Sequence, residues 1–305
     1  MPTYNKPYNN ILELIGNTPL IRLNEVTKNF KGTYFTKFEG FNPGHSNKDR
    51  IALHILNQAE KKGILKKGST IIETTSGNTG FSLALVSLLK GYKCILAVSS
   101  KASKDKINMM KCLGAEIYVC PSNVSSDDPR SYYEVAKRLN IEIKDSVYIN
   151  QYFNDLNIEA HYQTTGPEIW DQTNGEITHL ISGIGTSGTV MGTGRYLKSM
   201  NEKIKIVGVQ PDEPLHGLEG LKHIPSSIVP GIYNEEELDI LYNANTEKSY
   251  LIMEKLMQLE GMFVGHSGGA VVLSALEILR ESDAANIVCV IPDGGYRYLS
   301  GGVWW

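Results

Sequence analysis

Two spacings of apolar residues alternate along the chain. Short apolar and β-branched runs read as strands: "TIIETTS" (70–76), "KCILAVS" (93–99), "EIYVCP" (116–121), "SVYINQY" (146–152), "THLISGIG" (178–185), "KIKIVGVQ" (203–210) and "NIVCVIPD" (286–293). Between them, apolar residues recur at helical spacing, and this alternation predicts an α/β fold of parallel strands with helical crossovers. In "NPGHSNKDRIALHIL" (42–56), Asn42, Pro43 and Gly44 form a turn and Ser46 or Asn47 can cap a helix. Ile51, Ala52, Ile55, Leu56 and Ala59 then follow at helical spacing, which puts Lys48 in a first helical turn. Gly63, Gly91, Gly114 and Gly261 sit where helices should end in a left-handed residue, and Asp128 before Pro129 is the expected cap of another helix. The stretch 212–239 is too long for a plain connection and is a candidate functional loop.

Three loops that open predicted helices are rich in glycine. In "ETTSGNTG" (73–80), Thr75, Ser76, Asn78 and Thr79 offer hydroxyls and an amide, while Gly77 and Gly80 allow close backbone approach. A helix start of this kind suits a carboxylate; the same residues would equally make a well-capped turn. In "SGIGTSGTVMGTG" (182–194), Gly185, Thr186, Ser187, Gly188 and Thr189 can surround a phosphate with backbone and hydroxyl donors. Its G-x-G-x-x-G spacing, with Asp212 beyond the next strand, also admits a nicotinamide dehydrogenase as a remote alternative. The third turn, in "GMFVGHSGG" (261–269), places Ser267 before an apolar helix.

Composition narrows the function classes. A formal charge of −3 and 21% charged residues give no basic field for nucleic acid. No apolar run reaches membrane-spanning length and the first residues are polar, so a cytoplasmic protein without a membrane partner is expected. Cys94, Cys112, Cys120 and Cys289 form no C-x-x-C pair and read as reduced core thiols; the histidines are not spaced as ligands, and no metal is expected.

At the start of a helix the macrodipole disfavours the ammonium form of Lys48 by about 0.3–1 kcal/mol, and a neutral amine is a nucleophile. Alone, Lys48 would read as a surface lysine offset by Asp49. Taken with a carboxylate-type turn, a phosphate-type turn and a lone serine, it describes a site for pyridoxal 5'-phosphate (PLP) and an amino acid, with Lys48 capturing the aldehyde as a Schiff base.

With these residues in view, the chain resembles the cysteine synthase and cystathionine β-synthase family of PLP enzymes. The likeness runs from "IGNTPLIRL" (15–23) through "NPGHSNKDR", "TSGNTG" and "GTSGT" to "PDGGYRYLS" (292–300), in family order. It implies the tryptophan synthase β-like fold (fold type II), two domains each with a mostly parallel twisted sheet flanked by helices. The smaller would span 45–152 and the larger 1–44 plus 153–305. It implies that Lys48 is the Schiff-base lysine and catalytic base, and that Asn78 bonds the cofactor's ring oxygen. Gly185 to Thr189 would be the phosphate cradle. Thr75, Ser76, Gly77 and Thr79 would grip the substrate carboxylate with Gln151 as their partner, and Ser267 would face the pyridine nitrogen. A neutral serine there disfavours long-lived carbanions and favours β-elimination to a bound aminoacrylate, to which sulfide or a thiol adds. The implied activity is L-cysteine synthesis from O-acetylserine or O-phosphoserine and sulfide. Condensation with homocysteine, or cysteine breakdown releasing hydrogen sulfide, is the alternative. The family further implies a homodimer.

Segments point both ways. "AHYQTTGPEIW" and "GLEGLKHIPSSIVPGIY" look like the second bacterial cysteine synthase isozyme, whereas "VCPSNVSSDDPRSYYEVAKRL" is closer to cystathionine β-synthase-like proteins, though the larger haem-regulated form is not expected. His45, Asn47 and His266 stand at motif positions where smaller or apolar residues are commoner. Arg130 and Lys222 are candidates for a charged leaving group, with surface ion pairing as their other reading.

Overall fold

The structure, a computed structural model, describes residues 7–75, 77–280 and 285–301. In chain order the first elements are β1 (Leu20–Arg22), β2 (Thr33–Phe38), α1 (Lys48–Lys61), β3 (Thr70–Thr74), α2 (Asn78–Lys90) and β4 (Lys93–Ser99). Next come α3 (Lys104–Cys112), β5 (Glu116–Cys120), α4 (Tyr132–Glu142), β6 (Ser146–Tyr148), α5 (Asp155–Gln163) and α6 (Thr165–Gln172). The last are β7 (His179–Gly183), α7 (Gly188–Met200), β8 (Lys205–Pro211), β9 (Ile240–Ala244), α8 (Thr246–Glu260), α9 (His266–Ile278) and β10 (Asn286–Ile291). The chain divides into two compact units, Lys48–Leu156 and Met1–Asn47 with Asn157–Trp305.

The smaller unit is built on a four-stranded, wholly parallel sheet of order β5-β4-β3-β6. β3 is buried along its whole length, so it shows no alternation of solvated and buried positions, and its polar Glu73 and Thr74 are buried with Ile71 and Ile72. Ile72, Ile95, Ala97 and Cys120 of the sheet pack with Val135, Ala136 and Leu139 of α4. The apolar stripe expected on α1, from Ile51 to Ala59, is buried. β6 is shorter than "SVYINQY" suggests, because it pairs only with β3 and the chain leaves the sheet at Asn150, whose φ of 51° is left-handed.

The larger unit carries a six-stranded sheet of order β1-β2-β10-β7-β8-β9, parallel except for the β1–β2 pair. Alternate residues of its central strands serve two cores. Ile181, Val207, Ile287, Cys289 and Ile291 pack on the side of α8 and α9, whereas Leu180, Ile206, Val288 and Val290 pack on the side of α5, α6 and α7. A sheet covered on both faces has no polar side, as the near-continuous apolar runs require.

Several local readings are corrected. Asp128 does not cap α4: Ser131 does, accepting the amide of Glu134, while Asp128 folds back on Arg130 and accepts its amide at 2.8 Å and its guanidinium at 2.7 Å. A carboxylate with an arginine two residues on closes its own turn instead of starting a helix. Cys112, read as a core thiol, is exposed at the last position of α3; the other three are buried and all four are free. The candidate loop 212–239 is not overturned: it is anchored, through Lys222 N to Ile184 O at 2.8 Å and Ile224 N to Gln210 Oε1 at 2.9 Å, and leads directly into β9.

β1, β2 and β9 were not expected. In "TYFTKF" of β2 the polar residues mask the pattern, and Lys37 is fully buried. Its ammonium meets Glu168 Oε2 at 2.7 Å, Thr18 O at 2.6 Å and Gln172 Oε1 at 2.8 Å. Removing one partner of a buried pair strands the other charge, at about 3–5 kcal/mol, while replacing both is far milder. Urea unfolding should therefore show Glu168→Ala more destabilised than the Lys37→Met/Glu168→Ala double variant.

Candidate functional site

In the smaller unit the chain order of strands reverses beside β3, because β4 and β5 lie on one side and β6 on the other. Segments leaving the carboxyl ends of the two strands at such a switch point flank a crevice. Those segments are the turn after β3 and the residues after β6, and they meet: Thr79 Oγ1 donates to Gln151 Oε1 at 2.7 Å and Gln151 Nε2 donates to Thr74 O at 3.2 Å. Thr75 organises the turn. Its hydroxyl oxygen accepts the amides of Gly77 and Gly80, each at 3.1 Å, capping α2 from outside the helix. Both lone pairs are thereby used, and the Thr75 proton remains to donate to a ligand. Gly80 is obligatory, since a β-carbon would lie 2.5 Å from Met110 Sδ and Thr75 Cγ2. Ser76 lies outside the described residues.

Behind this turn stands Glu73, wholly buried. It accepts the Thr74 amide at 2.6 Å, the Thr74 hydroxyl at 3.0 Å and the Gln151 amide at 3.0 Å. Burial pushes its carboxyl up to about 7, against the opposing pull of those hydrogen bonds. Lys48 opens α1 and is half-buried. Asp49, its neighbour, is fully buried and accepts from Ser82 Oγ of α2 at 2.5 Å.

The larger unit repeats the topology: β8 and β9 lie on one side of β7 and β10 on the other, so the turn after β7 is at a second switch point. That turn is residues 184–187, leading into α7. The amides of Gly188, Thr189 and Val190 precede the first intrahelical bond, from Met191 N to Ser187 O, and Ser187 has a φ of 70°. A left-handed residue next to a helix start makes a concave nest of N–H donors. Thr186 Oγ1 accepts from Asn157 Nδ2 at 3.0 Å. Thr189 Oγ1 accepts from Asn47 Nδ2 at 2.9 Å and meets His161 Nε2 at 3.2 Å, with His161 Nδ1 2.8 Å from Thr165. His161 is thus hydrogen-bonded through both ring nitrogens.

Ser267, the second residue of α9, is buried with no hydrogen-bond partner among the described residues. Gly220 links it to the turn. A β-carbon on Gly220 would lie 3.9 Å from Ser267 Oγ, and one on Gly185 would overlap Gly220 O. His266 packs against Tyr250 and Tyr298 in tilted ring contacts, with ring centroids at 5.3 and 4.5 Å. Burial lowers the Lys222 ammonium, which follows Gly220 closely in the chain, and Arg130 is held by Asp128.

Each unit thus gathers its own expected residues: Thr75, Gly77, Asn78, Thr79 and Gln151 in one, Gly185 to Thr189 and Ser267 in the other. The 185–189 nest presents amides and hydroxyls with no carboxylate, the donor set for a phosphate dianion. Ser267 adds a neutral hydroxyl suited to a ring nitrogen, so the residues fit a phosphorylated pyridine. Glu73, Asn157 and Gly220 were missed. Glu73 had a signal, a carboxylate inside an otherwise uncharged strand; Asn157 and Gly220 had none apart from the fold.

Comparison with known proteins points to the same cofactor. The family described as pyridoxal-phosphate dependent enzymes matches residues 11–293. The chain is 41% identical over 306 residues to the cysteine synthase of Aquifex aeolicus, covering 97% of this chain and 92% of that protein. It is 40% identical over 297 residues to cysteine synthase B of Pseudomonas aeruginosa, covering 97% and 98%. The crystal structure of cysteine synthase from Entamoeba histolytica matches with a TM-score of 0.92 at 34% identity, over 100% of this chain and 93% of that one.

A β-carbon on Gly188 would overlap Asn157 Oδ1. Gly188→Ala should cost about 1–3 kcal/mol by overpacking. Adding Asn157→Ala should recover part of the loss, seen as a non-additive cycle in urea unfolding.

Proposed function

The chain belongs to the pyridoxal-phosphate-dependent enzyme family, and we propose that it makes L-cysteine from an O-activated serine, O-acetylserine or O-phosphoserine, and sulfide by β-replacement. When bound, PLP supplies an aldehyde that condenses with amines and a conjugated ring that draws electrons from an amino acid's α-carbon. The amides and hydroxyls of Gly185, Thr186, Ser187, Gly188 and Thr189 would hold its phosphate, and Asn78 and Ser267 the ring oxygen and ring nitrogen. A neutral hydroxyl at 267 does not keep that nitrogen protonated, which suits departure of a β-leaving group over prolonged charge on the α-carbon.

Lys48 would anchor the aldehyde carbon through Nζ and, once displaced by the substrate amine, take the proton from the substrate α-carbon. Thr75 donates its remaining proton to the substrate carboxylate, with Ser76, the Gly77 backbone, Thr79 and Gln151 completing the grip. Closing this turn would keep water from the reacting carbon. The observation that supports the choice of reaction is the 40–41% identity to two cysteine synthases over 97% of the chain. We further place the enzyme in the cytoplasm, as a homodimer acting on small molecules. Four free cysteines suit a reducing compartment, and among the described residues no helix is long and apolar enough to cross a membrane.

Purified protein supplemented with PLP should form L-cysteine from O-acetylserine or O-phosphoserine plus sulfide. Product with homocysteine alone, or only release of sulfide from cysteine, would replace this reaction with one of its relatives. Lys48→Ala should lower turnover by at least about a thousandfold. Borohydride reduction should leave a pyridoxyl group on the wild-type peptide containing Lys48; an unmodified peptide would remove the assignment.

A further inference from the structure

Glu73 is a buried carboxylate that pairs with no cation among the described residues. Its partners are all donors of the substrate grip: on Oε1 the amide and hydroxyl of Thr74, which leads into the 75–79 turn, and on Oε2 the amide of Gln151. Gln151 in turn holds Thr79 and Thr74 through its side chain. One carboxylate therefore stands behind both halves of the grip.

An ionised carboxylate accepts all three as charge-assisted bonds, whereas protonation removes the charge, takes up a lone pair and weakens all three. We propose that Glu73 is a positioning residue for amino-acid binding, its carboxylate clamping the start of the 75–79 turn to the Gln151 segment and releasing both when it takes up a proton. This rests on the reading above that the turn grips the substrate carboxylate.

Lys106 of α3 flanks the turn, its Nζ 3.9 Å from where a β-carbon on Gly77 would stand, and of Glu73 and the groups that sense its charge only Glu73 itself titrates near neutrality. Cys94 of β4, Tyr148 of β6, Tyr152 in the turn after it and Tyr133 of α4 all sense its charge, with Tyr132 beyond Tyr133. Burial raises each of these, so they stay neutral near pH 7. The ions of α4 pair with each other, Glu134 with Lys137 and Arg138 with Glu142. On α2, Lys90 is at the far end, held by Glu60. Lys93, at the start of β4, is exposed. Burial holds Glu73 up at about 7, so the clamp closes as pH rises through neutrality. The sign for stability is opposite. A carboxyl raised by folding stabilises the fold below its ordinary range, and that contribution is lost as pH rises through about 7.

The test compares PLP-loaded wild type with Glu73→Gln between about pH 6 and pH 8, across the range in which the carboxyl titrates. Steady-state kinetics with O-acetylserine are combined with hydrogen exchange of the peptides containing Thr74 and Gln151, corrected for intrinsic rates. Losing a charge-assisted hydrogen bond predicts that wild-type KM falls about tenfold over this range with kcat within about threefold. Protection of the two amides should rise in parallel. Glu73→Gln should show the high KM and low protection at every pH, and a urea stability that no longer falls as pH rises. If Gln does not fold, Glu73→Asp should keep the pH transition but raise KM, because its shorter arm reaches fewer donors. Wild-type KM and protection in either variant, or wild-type protection independent of pH, would overturn the proposal. If O-acetylserine is not turned over, the assigned reaction fails, and exchange with and without L-serine still decides the clamp.

Discussion

The site depends on a constraint of sheet topology. In each unit three successive strands are laid down in one direction and a later strand is added on the opposite side of the first: β6 beside β3, and β10 beside β7. Where the order reverses, the two neighbouring connections leave in opposite directions and cannot cover the strand ends. The turn in that crevice opens a helix, whose first amides precede the ladder of i→i−4 bonds and carry the positive end of the dipole. An anion site follows from the path of the chain before any side chain is specified. The sequence then distinguishes the two. Thr75 spends both lone pairs within its turn and keeps a proton to give, whereas Ser187 takes a left-handed conformation that gathers amides into a nest.

Behind each turn a set of buried polar side chains fixes it from within. Asn47, Asn157 and His161 hold the threonines of the 185–189 nest, and Glu73 with Gln151 holds the 75–79 turn. The two sets differ in charge. Around the nest the supporting side chains are amides and an imidazole, so no buried carboxylate of that set opposes a bound anion. Behind the carboxylate turn there is an acid, which would repel a substrate carboxylate were it not spread over three donors. Its burial near neutrality is destabilising to the fold just when the geometry is best for binding, a conflict expected at functional sites and rare elsewhere.

Much of this was legible in the sequence. Seven strands were marked by largely apolar runs because a parallel sheet buried on both faces leaves few places for polar residues, Glu73 being an exception with its own partners, and the motif turns stand at helix starts, where glycine and hydroxyl residues have a physical reason to be. β2 was not legible, since its fully buried residue is Lys37, satisfied by Glu168 from 131 positions further along. The cap of α4 was misread because Asp128–Pro129 is a strong start signal that a local ion pair with Arg130 diverted into a turn. Asn157 and Gly220 were invisible for a different reason: each matters through a partner remote in sequence, Thr186 for one and Gly185 for the other. Local pattern carries local structure, while groups acting from behind a site are specified only by the packing that brings them there.

The glycines make the same point from the opposite side. Gly188 and Gly185 look like spacers in a flexible loop, yet neither has a positive φ; each is required because another part of the chain already fills the space a β-carbon would take, Asn157 Oδ1 in one case and Gly220 O in the other. Gly220 does take φ +96°, and its missing side chain leaves Ser267 Oγ uncovered on that side. Glycine richness here reflects close packing rather than mobility. A nest whose amides must converge on one anion needs its backbone held against neighbours on every other side, and residues without side chains are the ones that permit it.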